Sequence, residues 1–248
     1  MGGGAFGVDV GGSSIKYAVV DTGSGRLLTS LAGIPTPQPG DATQLVAAIA
    51  GLARRAAPGM PVGVALPCVI RRGVVFTAAN LHASLIGTNI QSQLREAVGQ
   101  GVACLNDADA AGLAEVRWGA ARGIRGTVMV LTFGTGIGSA LFVDGRLVPN
   151  TELGHMEVGG VEGEQRAAAR VRTEQGLDWA QWCERVNVYL DAIDRLFWPE
   201  MIVIGGGISK DFAEYGSLLH SRATLVPARL GPAAGVVGAA MAVAGSSP

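Results

Sequence analysis

The sequence predicts an α/β protein with mixed sheets. Three observations carry that prediction. Short apolar runs of strand length alternate with longer segments of helical spacing. Glycine is common, 38 of 248 residues, about twice the usual ~7%, and it clusters between the apolar runs, where tight turns belong. A strand, glycine turn, strand, aspartate pattern occurs twice, with Gly11 and Gly134, and again Asp21 and Asp144, 123 residues apart.

Residues 5–10, 15–21 and 26–32 are apolar runs separated by Gly11-Gly12-Ser13 and Thr22-Gly23-Ser24-Gly25, the pattern of hairpin-connected strands. Pro35, Pro37 and Pro39 then break the chain. Asp41 is a good N-cap, Leu45, Ile49 and Leu52 follow at helical spacing, and the helix ends before Pro58. Residues 61–66 and 74–77 predict strands, 89–98 a helix, and 102–105 a strand. A helix over 107–118 opens with acids, where the macrodipole favours them. Residues 127–133, 137–143 and 146–149 predict a second set of strands. Trp179, Trp182, Val186, Tyr189, Ile193 and Leu196 share one face of a helix over 178–197, stopped by Pro199. A strand at 201–204, a Gly205-Gly206-Gly207 turn, a helix over 209–219 capped by Ser209, and a small-residue helix over 235–244 complete the pattern.

The length allows one large domain or two small lobes, and 48% apolar against 16% charged residues excludes intrinsic disorder. A net charge of −1 gives no global pull towards nucleic acid or anionic membrane, so neither is expected as a partner. No apolar stretch nears the roughly 18 residues of a membrane span, and residues 1–5 lack the basic and apolar regions of a signal peptide. Cys68, Cys104 and Cys183 are scattered and form no CxxC pair. That pattern reads as reduced thiols in a cytoplasmic protein, not as a disulfide framework or a zinc site.

A glycine turn between strands lets backbone N–H groups approach an anion, because no Cβ intervenes. Gly11-Gly12-Ser13-Ser14 adds hydroxyls and Lys16 a cation; Gly134-Thr135-Gly136 offers a second turn. Neither is a GxxxxGK[ST] loop; paired at a fixed offset, they fit a polyphosphate group held from two sides. Asn106-Asp107, where a strand meets a helix, reads either as a helix cap or as a general base for a hydroxyl attacking phosphorus. Glu152, His155 and Glu157 put two carboxylates and an imidazole within six residues, a density suited to vicinal hydroxyls, and Asn80 would add an amide. Gly205-Gly206-Gly207 is either a plain turn or a backbone platform for a nucleotide. Arg117, Arg122 and Arg125, with no acid among them, precede the strand leading to Gly134 and read either as a solvated loop or as the path of a phosphate chain.

Asp9-Val10-Gly11-Gly12-Ser13-Ser14-Ile15-Lys16, Leu105-Asn106-Asp107-Ala108-Asp109-Ala110-Ala111-Gly112, Gly134-Thr135-Gly136-Ile137-Gly138 and Ile204-Gly205-Gly206-Gly207 occur in that order. They resemble the phosphate-1, catalytic, phosphate-2 and adenosine motifs of the ROK sugar kinases. Asn150-Thr151-Glu152-Leu153-Gly154-His155, Ala78-Ala79-Asn80 and Asp178-Trp179 with Trp182 are similar to the polyphosphate glucokinase branch. The resemblance runs from Gly7 to Ala244. It implies the two-lobed actin-like ATPase (ribonuclease H-like) fold with duplicated mixed sheets: an N-terminal lobe over 1–105, a C-terminal lobe over 106–248, a cleft between them, and the last helix packing back on the first lobe. It implies a homodimer, and a phosphotransferase that moves a phosphoryl group from inorganic polyphosphate or ATP to the 6-hydroxyl of glucose. The alternatives are a strictly ATP-dependent glucokinase, another hexokinase (for mannose or an N-acyl amino sugar), or a sugar-sensing regulator without catalysis, which would need no base at Asp107.

By the same resemblance, Asp107 corresponds to the catalytic base. Asn80, Asn106, Asp107, Glu152 and His155 match sugar ligands, with Glu157 or Glu164 as the further glutamate. Gly11, Gly12, Ser13, Ser14, Lys16, Thr132, Gly134, Thr135, Gly136, Gly205, Gly206 and Gly207 match phosphate and nucleotide contacts, and Asp9 would position Mg²⁺ through water. Two departures stand out. Most ROK kinases hold structural zinc on cysteines after the histidine, but this sequence has no cysteine between Cys104 and Cys183, so no zinc is expected. Gly231-Pro232-Ala233-Ala234-Gly235 stands where a polar residue and an aspartate or asparagine would precede the glycine. The phosphate-1 strand begins by Ala5, which leaves no room for the helix-turn-helix of the repressor members.

Overall fold

Side-chain alternation along β1 (Gly4–Val10) sets the layering of the first part of the chain. Phe6, Val8 and Val10 enter a hydrophobic core, while Gly7 and Asp9 face the other way. In the computed structural model, residues 3–78 and 81–245 are described. β1 is followed by β2 (Ser14–Asp21), β3 (Ala32–Pro35), α1 (Ala42–Ala56), β4 (Val62–Leu66), the short hairpin β5 (Ile70–Arg71) and β6 (Val74–Val75), α2 (Ile90–Val98), β7 (Val102–Asn106) and α3 (Asp107–Trp118). The sheet order is β3-β2-β1-β4-β7, antiparallel across the first three strands and parallel thereafter. Asp41 caps α1 by accepting from the Gln44 N–H at 2.8 Å, and α2 ends at Gly99 in the left-handed region. Leu45, Ile49 and Leu52 of α1 and Ile90 and Leu94 of α2 meet Val62, Val64 and Leu66 of β4 in that core.

A second unit repeats this plan. β8 (Thr127–Phe133), β9 (Ile137–Val143) and β10 (Arg146–Val148) are antiparallel neighbours. A hairpin of β11 (Glu157–Val158) and β12 (Val161–Glu162) follows, then α4 (Gly163–Ala167), α5 (Ala169–Glu174), α6 (Trp179–Phe197), β13 (Met201–Gly205), α7 (Phe212–Tyr215) and β14 (Thr224–Pro227). The order β10-β9-β8-β13-β14, with β8, β13 and β14 parallel, matches the first sheet strand for strand. Trp182, Val186, Tyr189 and Ile193 of α6 pack on this sheet, whereas Leu196, in the last turn before Trp198 adopts φ 48°, is exposed. Among the described residues no helix is long and apolar enough to cross a membrane.

The two compact units are Met1–Ala114 with Ala233–Pro248, and Glu115–Pro232. The division falls inside α3, whose first turn is capped by Asn106 at the end of β7. The final helix, α8 (Ala234–Gly245), belongs to the first unit and lies on β1, β4 and β7. The third strand is 32–35 instead of 26–32, since the Thr29 hydroxyl accepts the Val19 N–H at 3.0 Å where a ladder carbonyl would otherwise do so. The predicted helix over 209–219 is broken into short pieces at Gly216.

α8 reaches the first sheet through glycine. A Cβ on Gly7 would overlap the Val236 carbonyl, one on Gly63 the Ala239 carbonyl, and one on Gly238 the Ala110 carbonyl of α3. Backbone therefore meets backbone, with no side chain free to yield. Gly63→Ala should destabilise the protein by about 3 kcal/mol. Gly101→Ala, whose Cβ would meet only Pro61 at 3.9 Å, should be close to neutral. Equal urea midpoints for the two variants would remove the helix seat from the account.

Candidate active site

In the first unit, the β1–β2 turn closes with the Gly11 N–H donating to the Ser14 carbonyl at 2.9 Å. Thr36, buried just past β3, braces it: its hydroxyl donates to the Gly11 carbonyl at 2.6 Å and its N–H to the Ser13 carbonyl at 3.1 Å. Gly12 and Ser13 are exposed at the tip. Asp9 and Lys16 are direct cross-strand partners, so their side chains share a face. Asp9 also abuts Gly235 of α8, where a Cβ would meet its carboxyl carbon at 2.7 Å.

Asn106 ends β7 and its side chain caps α3, accepting from the Ala108 and Asp109 N–H groups at 2.8 and 3.1 Å while donating to the Cys68 carbonyl at 3.3 Å. The cap fixes the orientation of the next residue. Asp107 begins the helix, and one of its oxygens accepts the Ala108 N–H at 2.8 Å. Burial raises the Asp107 pKa above the ordinary carboxylate range, with backbone hydrogen bonds opposing it. Burial first, and then the Asp107 charge, push Asp9 from 3.8 up to about 6, with Lys16 pulling the other way. Asn80 lies outside the described residues.

In the second unit, the β8–β9 turn is one residue shorter than its counterpart: Phe133 pairs with Ile137, whereas Val10 pairs with Ile15. The Gly134 N–H donates to Gly136, and the Gly134 carbonyl accepts the Arg170 N–H at 3.0 Å. A Cβ on Gly136 would overlap the Glu164 carboxylate, which accepts the Ile137 N–H at 3.3 Å. Gly206, at φ 82°, sits against the Phe133 backbone, so Gly205-Gly206-Gly207 lies beside the end of β8. Thr132 pairs with Gly205.

The Glu152–His155 turn is tied to β9 by Ser139, whose hydroxyl donates to the Thr151 carbonyl at 2.7 Å and accepts the Leu153 N–H at 3.0 Å. His155 Nδ1 lies 3.3 Å from Glu162 and its Nε2 4.0 Å from Glu152. Burial lowers the His155 pKa, but the Glu162 hydrogen bond and the charges of Glu164, Glu162 and Glu152 outweigh it, and the net shift is upward. Ligand atoms of His155, Glu162 and Glu164 lie within 4.8 Å of one another. Glu157 is exposed on β11, opposite Glu162. Glu162 and Arg170 carry no local sequence signal of their own; each is brought in by a short element that follows the histidine. Arg125 precedes the start of β8, a seven-residue strand, and so lies roughly 20 Å of strand away from Gly134.

The raised Asp9 pKa fixes a sign. Its protonated form is favoured by the folded state, so its contribution to stability is present below 3.8 and is lost as pH rises through about 6. Stability should fall across that window by on the order of 2 kcal/mol, and Asp9→Asn should flatten this part of a urea-midpoint profile. Parallel profiles for the parent and the variant would contradict it.

The pattern of the ROK family matches residues 5–176. A polyphosphate glucokinase of Mycobacterium tuberculosis is 47% identical over 238 residues, covering 96% of this chain and 90% of that protein. The structure is similar to that of the inorganic polyphosphate/ATP-glucomannokinase from Arthrobacter sp. strain KM, with a TM-score of 0.93, 45% identity, and coverage of 98% of this chain and 99% of that one. A ROK glucokinase from Streptomyces griseus in complex with glucose and AMPPNP gives a TM-score of 0.81 at 25% identity, covering 98% and 100%. With the family pattern spanning most of the chain and the paired mixed sheets superposing on its members, this protein belongs to the ROK family of sugar kinases.

Proposed function

We propose that this chain is a polyphosphate glucokinase, which transfers the terminal phosphoryl group of inorganic polyphosphate, or of ATP, to the 6-hydroxyl of glucose and yields glucose 6-phosphate. The polyphosphate glucokinase and the polyphosphate/ATP-glucomannokinase, at 47% and 45% identity over nearly the whole chain, support both donors, and the second supports mannose as a further acceptor. The observation that carries the reading is the Asp107 carboxyl, set at the start of α3 by the Asn106 cap with its pKa raised by burial. Asp107 takes the proton of the 6-hydroxyl as that oxygen attacks the terminal phosphorus. The bond from phosphorus to the rest of the donor breaks, and ADP or a polyphosphate one unit shorter leaves. Asn80, Asn106, Glu152 and His155 hold the sugar hydroxyls.

Glu164 supplies the further sugar contact in preference to Glu157. Its charge, and not that of Glu157, is among those that raise His155. Gly11, Gly12, Ser13, Ser14, Lys16, Thr132, Gly134, Thr135 and Gly136 receive donor phosphates; Gly205, Gly206 and Gly207 face the nucleotide when ATP is the donor. The Asp107 charge opposes the ionisation of Asp9, and the two are hard oxygen donors suited to Mg²⁺. Asp9 would hold the ion through water, and Mg²⁺ bound there neutralises charge on the donor phosphates. The enzyme acts in the cytoplasm, where its three unbridged cysteines stay reduced, and as a homodimer, for which the exposed Val188, Leu196 and Trp198 offer apolar surface.

The purified protein should phosphorylate glucose from polyphosphate and from ATP, and Asp107→Asn should lower turnover by roughly 10²–10⁴-fold with glucose binding retained. Near-normal turnover in that variant would remove Asp107 as base, and activity with ATP alone would make this a plain ATP glucokinase. Glu164→Gln should raise the glucose KM about tenfold, the cost of one charged hydrogen bond, while its amide oxygen can still accept from Ile137. Glu157→Gln should leave that KM within about twofold; the reverse ranking would restore Glu157.

A further inference from the structure

β8, β13 and β14 are parallel neighbours, so their C-terminal ends lie on one edge of the second sheet. That edge carries the Gly134 turn and Gly205-Gly206-Gly207. Three cations are anchored to it through backbone. The Arg170 N–H donates to the Gly134 carbonyl at 3.0 Å. Lys210 follows Ser209, whose hydroxyl and N–H both donate to the Gly206 carbonyl, at 2.8 and 3.2 Å. Arg229 lies between two fixed residues: the Ala228 N–H donates to the Ile204 carbonyl at 2.9 Å, and the Leu230 N–H to the buried Glu115 carboxylate at 2.8 Å.

All three side chains are exposed, and none forms an ion pair among the described residues. Glu164 and Glu115, carboxylates on the same edge, are engaged by the Ile137 and Leu230 N–H groups. Glu214 accepts from the Trp179 indole, which leaves Asp211 beside Lys210 as the acid nearest the cations in sequence. Gly134 and Gly207 each face open space where a Cβ would stand. At the other edge of the sheet, Asp144 and Glu200 take the N–H groups at the start of β8, and Asp194 takes the Arg222 N–H before β14. The edge with the Gly134 turn therefore meets an anion with open glycine backbone and three exposed cations. Adjacent strands are about 4.8 Å apart, so the cations are spaced along an edge and do not converge on a point.

We propose that Arg170, Lys210 and Arg229 form a track along this edge that binds the phosphates of a polyphosphate donor beyond those held at the Gly134 turn, and so select polyphosphate chain length. The inference rests on the polyphosphate-donor reading above. A short donor ends before the track, whereas a long one engages every cation, so the advantage of long chains resides in these three residues.

The test compares long-chain polyphosphate, tripolyphosphate and ATP at saturating glucose in the parent protein, in Arg170→Gln/Lys210→Gln/Arg229→Gln, and in the opposite-edge triple Arg146→Gln/Arg195→Gln/Arg222→Gln. The first triple should raise the long-chain KM on the order of tenfold, the sum of three screened contacts, with kcat retained. Its KM values for tripolyphosphate and ATP should stay within about twofold, and the preference for long chains and its steep salt dependence should disappear. The opposite-edge triple should behave like the parent. The track is overturned if the parent uses polyphosphate and the first triple keeps its chain-length preference, or if both triples lose it equally. A rise in the ATP KM in step with the polyphosphate KM would also overturn it, by showing damage to the shared donor turn. A parent protein inert with every polyphosphate would sink the donor reading itself, and the track with it.

Discussion

The approach of α8 to the first sheet, backbone against backbone, is the constraint on which the geometry of the first unit depends. Gly7, Gly63 and Gly238 have no Cβ because the helix leaves no volume for one. Ala65, Ala110 and Ala239 complete the same contact with methyl groups. The close fit has a chemical consequence. Gly7 and Asp9 share a face of β1, and Gly238 touches α3 within its first turn, at Ala110. Both carboxylates of the candidate centre thus lie along the line where α8 is seated. A helix one side chain further away would leave Asp9 in water, with an ordinary pKa and a weaker hold on its position.

Two carboxyls held this way are costly. Burial disfavours the charged form of each, and the Asp107 charge further disfavours that of Asp9. The chain offsets that cost locally: Lys16 stands opposite Asp9, and Asp107 occupies a helix N-terminus, where backbone N–H groups favour negative charge. The cap that starts this helix and the proposed base are therefore adjacent for one reason. Asn106 fixes the first turn, and the first turn fixes Asp107. A structural reading of the Asn-Asp pair and a functional one are the same arrangement described from two sides.

Much of this was legible in the sequence. The 123-residue repeat identified both hairpins, and β1 and β8 keep that offset from end to end. Spacing announced α1 and α6, the first with its cap at Asp41. What escaped was set by tertiary contact. Thr29 took the place of a ladder partner and moved the third strand to 32–35. The stretch from 153 to 174 has no dominant period and folds as a series of one-turn pieces, so Glu162 and Arg170 could not be placed. The arginines at 117–125 stand out by their density, and a strand's length separates Arg125 from the Gly134 turn. Proximity in sequence is a poor guide to position along a strand, whose two ends face opposite edges.

The duplicated hairpin also carries two different residue pairs at one position of its ladder. At the same place in the ladder, the first unit pairs Asp9 with Lys16 and the second pairs Thr132 with Gly138. The shorter second turn causes the exchange, because removing one residue moves a glycine into the position that the lysine holds in the first unit. The second turn is thus left without a charge of its own. Any cation near it must arrive from elsewhere in the chain, and the Arg170 N–H bonded to Gly134 is how one does. A turn with a built-in lysine presents a single cation at one point. One whose cations are delivered by neighbouring elements can spread them along a strand edge, which is the geometry an extended anion requires.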